Sequence, residues 1–250
     1  MSLGEVFRDA DVARAYSQRA PYPEETFTIL EQLVVEPRTV LDAGAGNGAL
    51  ARSMVRFARR VDAVDPSVAM IAEGRRLPRG DDPRLRWLVG TAEDGSISGP
   101  YGLITAGASI HWMDPERALS RFAASLAPGA KLAIIDLEEG THPLPEMIDI
   151  IKRYSEVQHH KELPDIVNDL EADGRFVREG ERRTAPGVIR RSLDDYLEFL
   201  HSTSTLARVR LGARAAAFDA DVRALFARRG VANIERQYVA TVIWGQPVAR

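Results

Sequence analysis

The sequence contains no cysteine, which excludes disulfide bonds, thiolate metal sites and a cysteine nucleophile. Lysine is also scarce, so arginine carries almost all of the positive charge; the net charge is −3, and the arginines are scattered among acids without forming a basic stripe. No apolar run approaches the roughly 20 residues of a membrane-spanning helix, and the N-terminus has no apolar secretory core. We therefore expect a cytoplasmic protein with no membrane or nucleic-acid partner.

Short apolar runs alternate with helical patterns between residues 39 and 137. The runs are TVLDAG, RVDAVD, LRWLVG, YGLITAG and KLAIIDL. Between them, apolar residues recur with helical spacing, as Ala118, Leu119 and Phe122 do in PERALSRFAASL. This order is typical of βαβ units around a parallel sheet. A length of 250 residues suits one such domain with an added segment.

The segments that flank this core carry patterns of their own. The spacing of Phe27 and Leu30 predicts a helical N-terminal arm within 1–35, ahead of the core at 36–139. Residues 140–230 do not continue the alternation of apolar runs and helical patterns. We interpret them as a helical lid together with the remaining core elements. The run IERQYVATVIWG predicts a terminal strand within 231–250.

A glycine-rich loop follows the first predicted strand, with the sequence DAGAGNG from Asp42 to Gly48. A strand that ends in such a turn before a helix brings backbone N–H groups and the positive helix end together, which suits a nucleotide-like ligand. The spacing of Gly44, Gly46 and Ala49 also fits, weakly, the G-x-G-x-x-G/A fingerprint of dinucleotide-binding proteins. The loop alone therefore leaves two cofactors open, a dinucleotide and S-adenosylmethionine.

Two acids bear on this choice. Asp42, inside the loop, would repel a pyrophosphate but suits the cationic amino group of a methionine moiety, directly or through water. Asp65, at the end of the second strand, can accept both ribose hydroxyls, which either cofactor would require. No tyrosine is followed four residues later by lysine, the pair that a short-chain reductase would use. These residues favour S-adenosylmethionine over a dinucleotide.

With DAGAGNG as motif I and AVDPS as motif II, the chain resembles the class I S-adenosylmethionine-dependent methyltransferases. The resemblance implies a Rossmann-like α/β fold: a three-layer sandwich with a helical lid and a mostly parallel seven-stranded sheet whose last strand is antiparallel. GTAED resembles the segment that caps the adenine. The cofactor contacts implied by these motifs are Asp42, Gly44, Ala45, Gly46, Asn47, Gly48, Asp65, Pro66, Ser67, Ala92 and Glu93. S-adenosylhomocysteine would be the product, and we expect no metal.

The segment YGLITAGASIHWMD resembles strand four of a subgroup, the trans-aconitate methyltransferase-like (methyltransferase type 11) proteins. This similarity implies that Gly107 and Ala108 contact the cofactor and that His111 and Trp112 line the substrate pocket. The chain departs from the subgroup at Gly102, where an acid is frequent, and at Ala108, where glutamine is frequent. The identity of the substrate therefore does not transfer.

The N-terminal stretch AYSQRAPYP resembles the aromatic–arginine arm of the same subgroup. It implies that Tyr16 and Arg19 close over the methionine carboxylate and that Tyr22 forms a wall of the substrate pocket. Arginine suits a carboxylate because its planar fork donates two parallel hydrogen bonds. A solvated arginine on a surface helix is the alternative for Arg19.

Together these features predict a methyltransferase that moves a methyl group from S-adenosylmethionine to an oxygen or nitrogen of a small molecule, as a monomer or homodimer. His111 is the candidate general base; the alternative is that His111 and Trp112 pack the junction between strand and helix. Two other functions stay open: an NAD(P)-dependent oxidoreductase and a catalytically silent S-adenosylmethionine-binding protein.

Four arginines near the middle of the chain allow two interpretations. They could clamp a carboxylate substrate, or they could form a solvated face paired with the flanking acids, which we favour; they are Arg182, Arg183, Arg190 and Arg191. His159 and His160 do not predict a metal site, because adjacent histidines point in different directions on a helix and no third ligand is suitably spaced.

Overall fold

The computed structural model describes residues 4–155, 161 and 163–249. Within this part of the chain, eight strands form one sheet. The strands are β1 Thr39–Ala43, β2 Arg60–Asp65, β3 Leu85–Val89, β4 Leu103–Gly107, β5 Leu132–Glu139, β6 Phe176–Arg183, β7 Gly187–Ser192 and β8 Asn233–Pro247. The α-helices are α1 Ala10–Ala15, α2 Glu24–Leu33, α3 Ala51–Met54, α4 Val68–Arg76, α5 Pro115–Ser125, α6 Met147–Tyr154, α7 Leu163–Ala172, α8 Leu193–His201, α9 Arg208–Leu211 and α10 Ala215–Arg229.

The sheet has the strand order β3-β2-β1-β4-β5-β8-β6, and β7 also pairs with β8. The pairs β1–β2, β2–β3, β1–β4 and β4–β5 are parallel, whereas β6 and β7 run antiparallel to β8. The carboxyl ends of β1, β2 and β4 therefore lie at one edge of the sheet. The strand order reverses between β1 and β4, which is the position where open α/β sheets bind ligands.

Alternate residues of the strands pack on opposite faces of the sheet, as the two-residue period of a strand requires. Val40 and Leu103 belong to one buried cluster, with α2 and α3, while their neighbours Leu41 and Ile104 belong to a second cluster, with α5 and α7. Helices therefore cover both faces. This confirms the predicted three-layer, mostly parallel fold with an antiparallel end.

Two expectations need correction. The sheet has eight strands in the described residues rather than seven, because part of the predicted lid forms β6 and β7. The sequences of these two strands contain many arginines and glutamates, which do not indicate a buried strand. β6 can carry them because it lies at the end of the strand order, where its outward side chains are exposed. The helical pattern between the first two apolar runs also gives only a short helix, since only Ala51–Met54 is α-helical there.

The chain divides into two compact units. We call one the sheet unit, which contains Pro21–Glu138, Lys161–Ala185 and Val239–Arg250, and the other the helical unit, which contains Met1–Ala20, Glu139–His160 and Pro186–Tyr238. The helical unit has its own buried cluster, which includes Met147, Tyr196 and Phe218. In the described residues, no helix combines the length and the apolar character needed to cross a bilayer.

Candidate cofactor site

The three glycines of the loop lie in three different surroundings. All have a positive φ, of +68° at Gly44, +56° at Gly46 and +74° at Gly48, which side chains other than glycine adopt only under strain. A Cβ at Gly44 would lie 2.6 Å from Cβ of Ser109, and one at Gly48 would lie 2.5 Å from the ring of Trp87. A Cβ at Gly46 would meet no atom within 4 Å. Gly46 is therefore the loop glycine whose backbone is open to a ligand.

Asp65 joins the loop to the turn after β2. Its Oδ2 accepts a hydrogen bond from the Gly46 N–H at 2.7 Å, and its Oδ1 accepts one from the Ser67 N–H at 2.8 Å. The side chain of Ser67 accepts from the N–H of Met70 at 3.1 Å and so caps α4. Burial raises the pKa of Asp65, and the two backbone N–H groups oppose that rise. Each carboxylate oxygen keeps a lone pair for a ribose hydroxyl.

Asp42 is almost completely buried, with 2% of its surface exposed. Its Oδ1 accepts from the Thr105 hydroxyl at 2.8 Å, and its Oδ2 accepts from the N–H of Ala51, the first residue of α3, at 3.2 Å. Burial raises the pKa of this carboxyl from 3.8 to about 7. Both oxygens thus have donors within the protein, and the predicted contact of Asp42 with a cationic amino group stays a prediction.

The N–H groups of the loop are largely satisfied by the protein itself. Gly44 and Ala45 both donate to the carbonyl of Val64, at 2.9 and 3.0 Å, and Gly48 donates to the carbonyl of Ala45 at 2.8 Å. Together with the bond from Gly46 to Asp65, these contacts direct the amides inward. A diphosphate binds such a loop through outward N–H groups, so this geometry offers little to a dinucleotide.

Sequence reasoning missed the side chains that support the loop. Trp87 on β3 lies under Gly48 and donates from its indole N–H to the carbonyl of Gly80 at 2.9 Å. Arg52 in α3 donates to the carbonyls of Asn47 and Pro78, each at 3.1 Å. The only sequence signal was a large aromatic residue in an edge strand, and nothing in the sequence relates Trp87 to a glycine 39 positions earlier.

The segment predicted to cap the adenine is held by α5. Ala92 is buried, and the guanidinium of Arg121 donates to its carbonyl at 3.3 Å. Glu93 accepts from the N–H of Asp114 at 2.8 Å, and Asp114 in turn caps α5 by accepting from Arg117 N–H at 3.1 Å. Glu93 is thus hydrogen-bonded to the residue that caps α5. The predicted contact of Glu93 with the exocyclic amine of the adenine stays a prediction.

The end of β4 brings several predicted residues to the edge next to the loop. A Cβ on Gly107 would lie 2.8 Å from the hydroxyl of Tyr22, so these two predicted residues are neighbours. Ala108 has a φ of +47°, a strained conformation for alanine, and such strain is concentrated at functional sites. His111 and Trp112 are exposed in a 3₁₀ turn, with ring centroids 4.5 Å apart.

Tyr16 and Arg19 belong to the helical unit and contact each other. The guanidinium carbon of Arg19 lies 4.1 Å from the centroid of the Tyr16 ring, and its Nη1 donates to the Tyr16 hydroxyl at 3.2 Å. Arg19 also donates to the hydroxyl and the carbonyl of Ser202, at 3.2 and 2.9 Å. Their closure over a methionine carboxylate stays a prediction.

The preferred interpretation of the four arginines is wrong for Arg191. Arg183 pairs with Glu138 at 3.1 Å and Arg190 with Glu235 at 2.8 Å, both on the surface. Arg191 instead is buried and pairs with Glu139 at 2.7 Å. The partners lie on β5 and β8, which are distant in sequence from these arginines.

No group of three or more histidine, cysteine, aspartate or glutamate residues suited to a metal ion occurs in the described part of the chain. His159 and His160 lie outside the described residues.

Comparison with solved structures supports the class of fold. The chain is similar to a candidate type II methyltransferase from Anaeromyxobacter dehalogenans, with 22% identity, a TM-score of 0.68 and coverage of 93% of this chain and 99% of the other. It is also similar to the YcgJ protein from Bacillus subtilis, with 16% identity, a TM-score of 0.55 and coverage of 91% and 100%. These similarities show the fold alone, which is a Rossmann-like α/β fold.

Comparison of sequences adds a match to a domain model and to two relatives. Residues 40–129 match the model of a methyltransferase domain. Uncharacterised methyltransferases from Mycobacterium bovis and Mycobacterium tuberculosis are 35% identical over 123 residues, which is 48% of this chain and 48% of each relative. The chain thus spans about half the length of the curated relatives it matches. Over residues 40–129 the chain is therefore similar to a methyltransferase domain.

Proposed function

We propose that the protein transfers a methyl group from S-adenosylmethionine to an oxygen or nitrogen of a small molecule by in-line displacement. The observation that carries this proposal is the meeting of Gly46 and Asp65 at the carboxyl ends of β1 and β2. There the loop opens at Gly46, and Asp65 presents a carboxylate with free lone pairs 2.7 Å from the Gly46 amide nitrogen. This arrangement fits a ribose better than a diphosphate, because the loop amides already have acceptors.

The residues then have separate tasks. Asp65 accepts the ribose hydroxyls, while Pro66, Ser67, Ala92 and Glu93 surround the adenine. The bound cofactor supplies an activated methyl group on its sulfonium. The protein's own contribution is to hold the acceptor atom in line, at roughly 3 Å from the methyl carbon, and to exclude water.

The exposed pair His111 and Trp112 is the proposed place for the methyl acceptor. Both follow β4 directly, at the edge where the cofactor loop lies. Trp112 exposes 40% of its surface, and an aromatic ring offers a large apolar contact area to a substrate. His111 would take the proton that an attacking hydroxyl or amine releases. We further propose a cytoplasmic monomer or homodimer.

Calorimetric titration tests the cofactor. We expect S-adenosylhomocysteine to bind with a dissociation constant in the range of about 1–100 μM, or roughly −5 to −8 kcal/mol. NADH should release no heat, because the inward loop amides and the nearby carboxyls disfavour its pyrophosphate. Binding of NADH in place of S-adenosylhomocysteine would reject the methyltransferase assignment in favour of an oxidoreductase.

A substrate screen tests catalysis itself. We expect at least one member of a panel of small acids, phenols and amines to be methylated by the purified protein. Tight binding of S-adenosylhomocysteine without any methylated product across the panel would instead indicate a silent cofactor-binding protein.

A further inference from the structure

Residues 109–113, which we call the acceptor turn, lie against the first glycine of the cofactor loop. A Cβ built on Gly44 would lie 2.6 Å from Cβ of Ser109 and 3.4 Å from Cε of Met113. The two ends of the turn thus pack against the same glycine, and the glycine and the turn both belong to the sheet unit. The histidine and the tryptophan that are proposed to meet the methyl acceptor lie between these two contacts in the sequence.

Hydrogen bonds hold the first half of the acceptor turn to two strands. The hydroxyl of Ser109, which is 5% exposed, donates to the carbonyl of Ala43, the last residue of β1, at 2.7 Å. The N–H of Ala108 donates to the carbonyl of Ile135 on β5 at 2.8 Å, and the N–H of Trp112 donates back to the carbonyl of Ser109 at 2.9 Å. Ser109 therefore links the turn to the strand end from which the glycine loop begins.

The second half of the acceptor turn is held by the segment predicted to cap the adenine. Asp114 follows the turn directly, and its N–H donates to Oε1 of Glu93 at 2.8 Å. The turn is therefore attached at one end to the glycine loop and at the other to a residue that is proposed to surround the adenine.

The backbone of Ala108 indicates that this arrangement serves more than stability. Its φ of +47° is strained for alanine, and a residue keeps such a conformation only where its surroundings impose it. Here the hydrogen bonds of Ala108 and Ser109 impose it, and the chain turns so that Ser109 faces Gly44. Strain of this kind is concentrated at functional sites.

We propose that Ser109 is a positioning residue for methyl transfer: its hydrogen bond to Ala43 and its packing against Gly44 fix the acceptor turn so that Trp112 faces the methyl group of the bound cofactor. This proposal rests on the proposed function, in which the cofactor occupies the glycine loop. A misplacement of about 1 Å can slow a displacement reaction about 100-fold, so Ser109 would affect the rate without touching a reacting atom.

The test compares Ser109→Ala with Thr39→Val. Each substitution removes a hydroxyl that donates to a backbone carbonyl at 2.7 Å. The bond of Ser109 is made at the carboxyl end of β1, whereas Thr39 begins β1 and donates to the carbonyl of Pro100. Thr39→Val is therefore a control that loses the same kind of bond at the opposite end of the same strand.

Three measurements follow the turn and the loop separately. Fluorotryptophan incorporated at the three tryptophans gives fluorine NMR signals in the free protein, and Trp112→Phe identifies the signal of Trp112. Nuclear Overhauser effects between the indole of Trp112 and an isotope-labelled methyl group of S-adenosylmethionine report whether the turn faces that methyl group. Calorimetry with S-adenosylhomocysteine measures the affinity of the loop for the cofactor.

In Ser109→Ala we expect the fluorine signal of Trp112 to shift or broaden and its Overhauser effect with the methyl group to be lost, while the signals of the other two tryptophans stay unchanged. The affinity for S-adenosylhomocysteine should change less than about threefold, because the bond between Asp65 and Gly46 is unaffected. Thr39→Val should match the wild type in every measurement. Unchanged Trp112 signals in Ser109→Ala, or the same changes in Thr39→Val, overturn the proposal.

The rate of methyl transfer gives a separate readout. With an acceptor found in the panel of small acids, phenols and amines, the single-turnover rate of Ser109→Ala should fall about tenfold or more while the affinity for S-adenosylhomocysteine stays within the same limits. An unchanged rate, or a fall explained entirely by weaker cofactor binding, overturns the positioning role.

Two further results keep the test decisive. If Ser109→Ala does not fold, Met113→Ala removes the contact with Gly44 at the other end of the turn, and the same loss of the Overhauser effect is expected. If the wild type binds no S-adenosylhomocysteine, the proposed function fails and the positioning role with it. If the wild type binds it but shows no Overhauser effect between Trp112 and the methyl group, the cofactor assignment stands and the positioning role alone is rejected.

Discussion

Asp42 has a structural role in addition to the one that its sequence position predicts. The contact with a cationic ligand stays a prediction; in the structure the oxygens of Asp42 accept from Thr105 and Ala51, and the side chain is nearly inaccessible. It therefore links β1, β4 and the start of α3. A charge in such a place makes the stability of the protein depend on pH.

The first prediction concerns this pH dependence. The carboxyl of Asp42 loses its proton near pH 3.8 when unfolded and near pH 7 when folded, because burial raises its pKa. Between these values the folded state holds the extra proton, so the contribution of Asp42 to the free energy of unfolding falls as pH rises from about 4 to about 7. Asp42→Asn should remove this slope, since its amide can accept from Ala51 and donate to Thr105. Urea unfolding of both proteins between pH 4 and 8 should show curves that diverge; parallel curves would contradict the prediction.

The second prediction concerns His111. Because the side chain is exposed, His111→Ala should change the free energy of unfolding by no more than about 0.5 kcal/mol. If His111 takes the proton of the acceptor, the turnover number should fall about 100-fold or more while the affinity for S-adenosylhomocysteine stays constant. Single-turnover rates and calorimetry measure the two effects. Unchanged turnover would leave His111 without a catalytic role.

At the scale of elements, the glycine loop offers a matched pair of substitutions. Gly46 and Gly129 both have a positive φ, of +56° and +78°, and at both a Cβ would meet no atom within 4 Å. Gly46→Ala and Gly129→Ala should therefore each cost about 1–2 kcal/mol of backbone strain. Only Gly46→Ala should weaken S-adenosylhomocysteine, by about tenfold or more, because its methyl group would enter the open face of the loop. Equal affinities in the two variants would show that the ligand does not approach Gly46.

The elements also show what sequence could and could not predict. The five apolar runs became β1 to β5. For β1, β2, β4 and β5, which have a strand on each side, burial of both faces leaves a continuous apolar signal, whereas β3 is an edge strand and only partly buried. β6 and β7 escaped prediction because sequences such as VREGERR carry one buried side at most. In the site, the glycine spacing predicted the loop and the acid at the end of the second apolar run predicted Asp65, but Trp87 and Ser109 reach the loop only through tertiary packing. Arg191 was misjudged for the same reason, since its partners Glu139 and Gln18 are distant in sequence.

At the scale of the whole molecule, ligand binding and folding are linked. A ligand that binds only the folded state adds RT ln(1 + [L]/Kd) to the free energy of unfolding, or about 2.7 kcal/mol at 100 times Kd. We expect S-adenosylhomocysteine at that excess to raise the melting temperature by about 5–10 °C, since about 1 kcal/mol shifts a domain of this size by roughly 2–4 °C. NADH at the same concentration should leave it unchanged. Scanning calorimetry measures the shift, and a larger effect of NADH would contradict the prediction.

The carboxylate of Asp65 bridges two turns by accepting from the backbone N–H groups of Gly46 and Ser67. If the cofactor binds at these strand ends as proposed, the protein's own hydrogen bonds already hold their shape. We expect little entropy to be lost from the loop when the cofactor arrives, and no refolding of it when the spent cofactor leaves. We then expect the turnover rate to depend on movements elsewhere in the protein, while the glycine loop keeps its conformation.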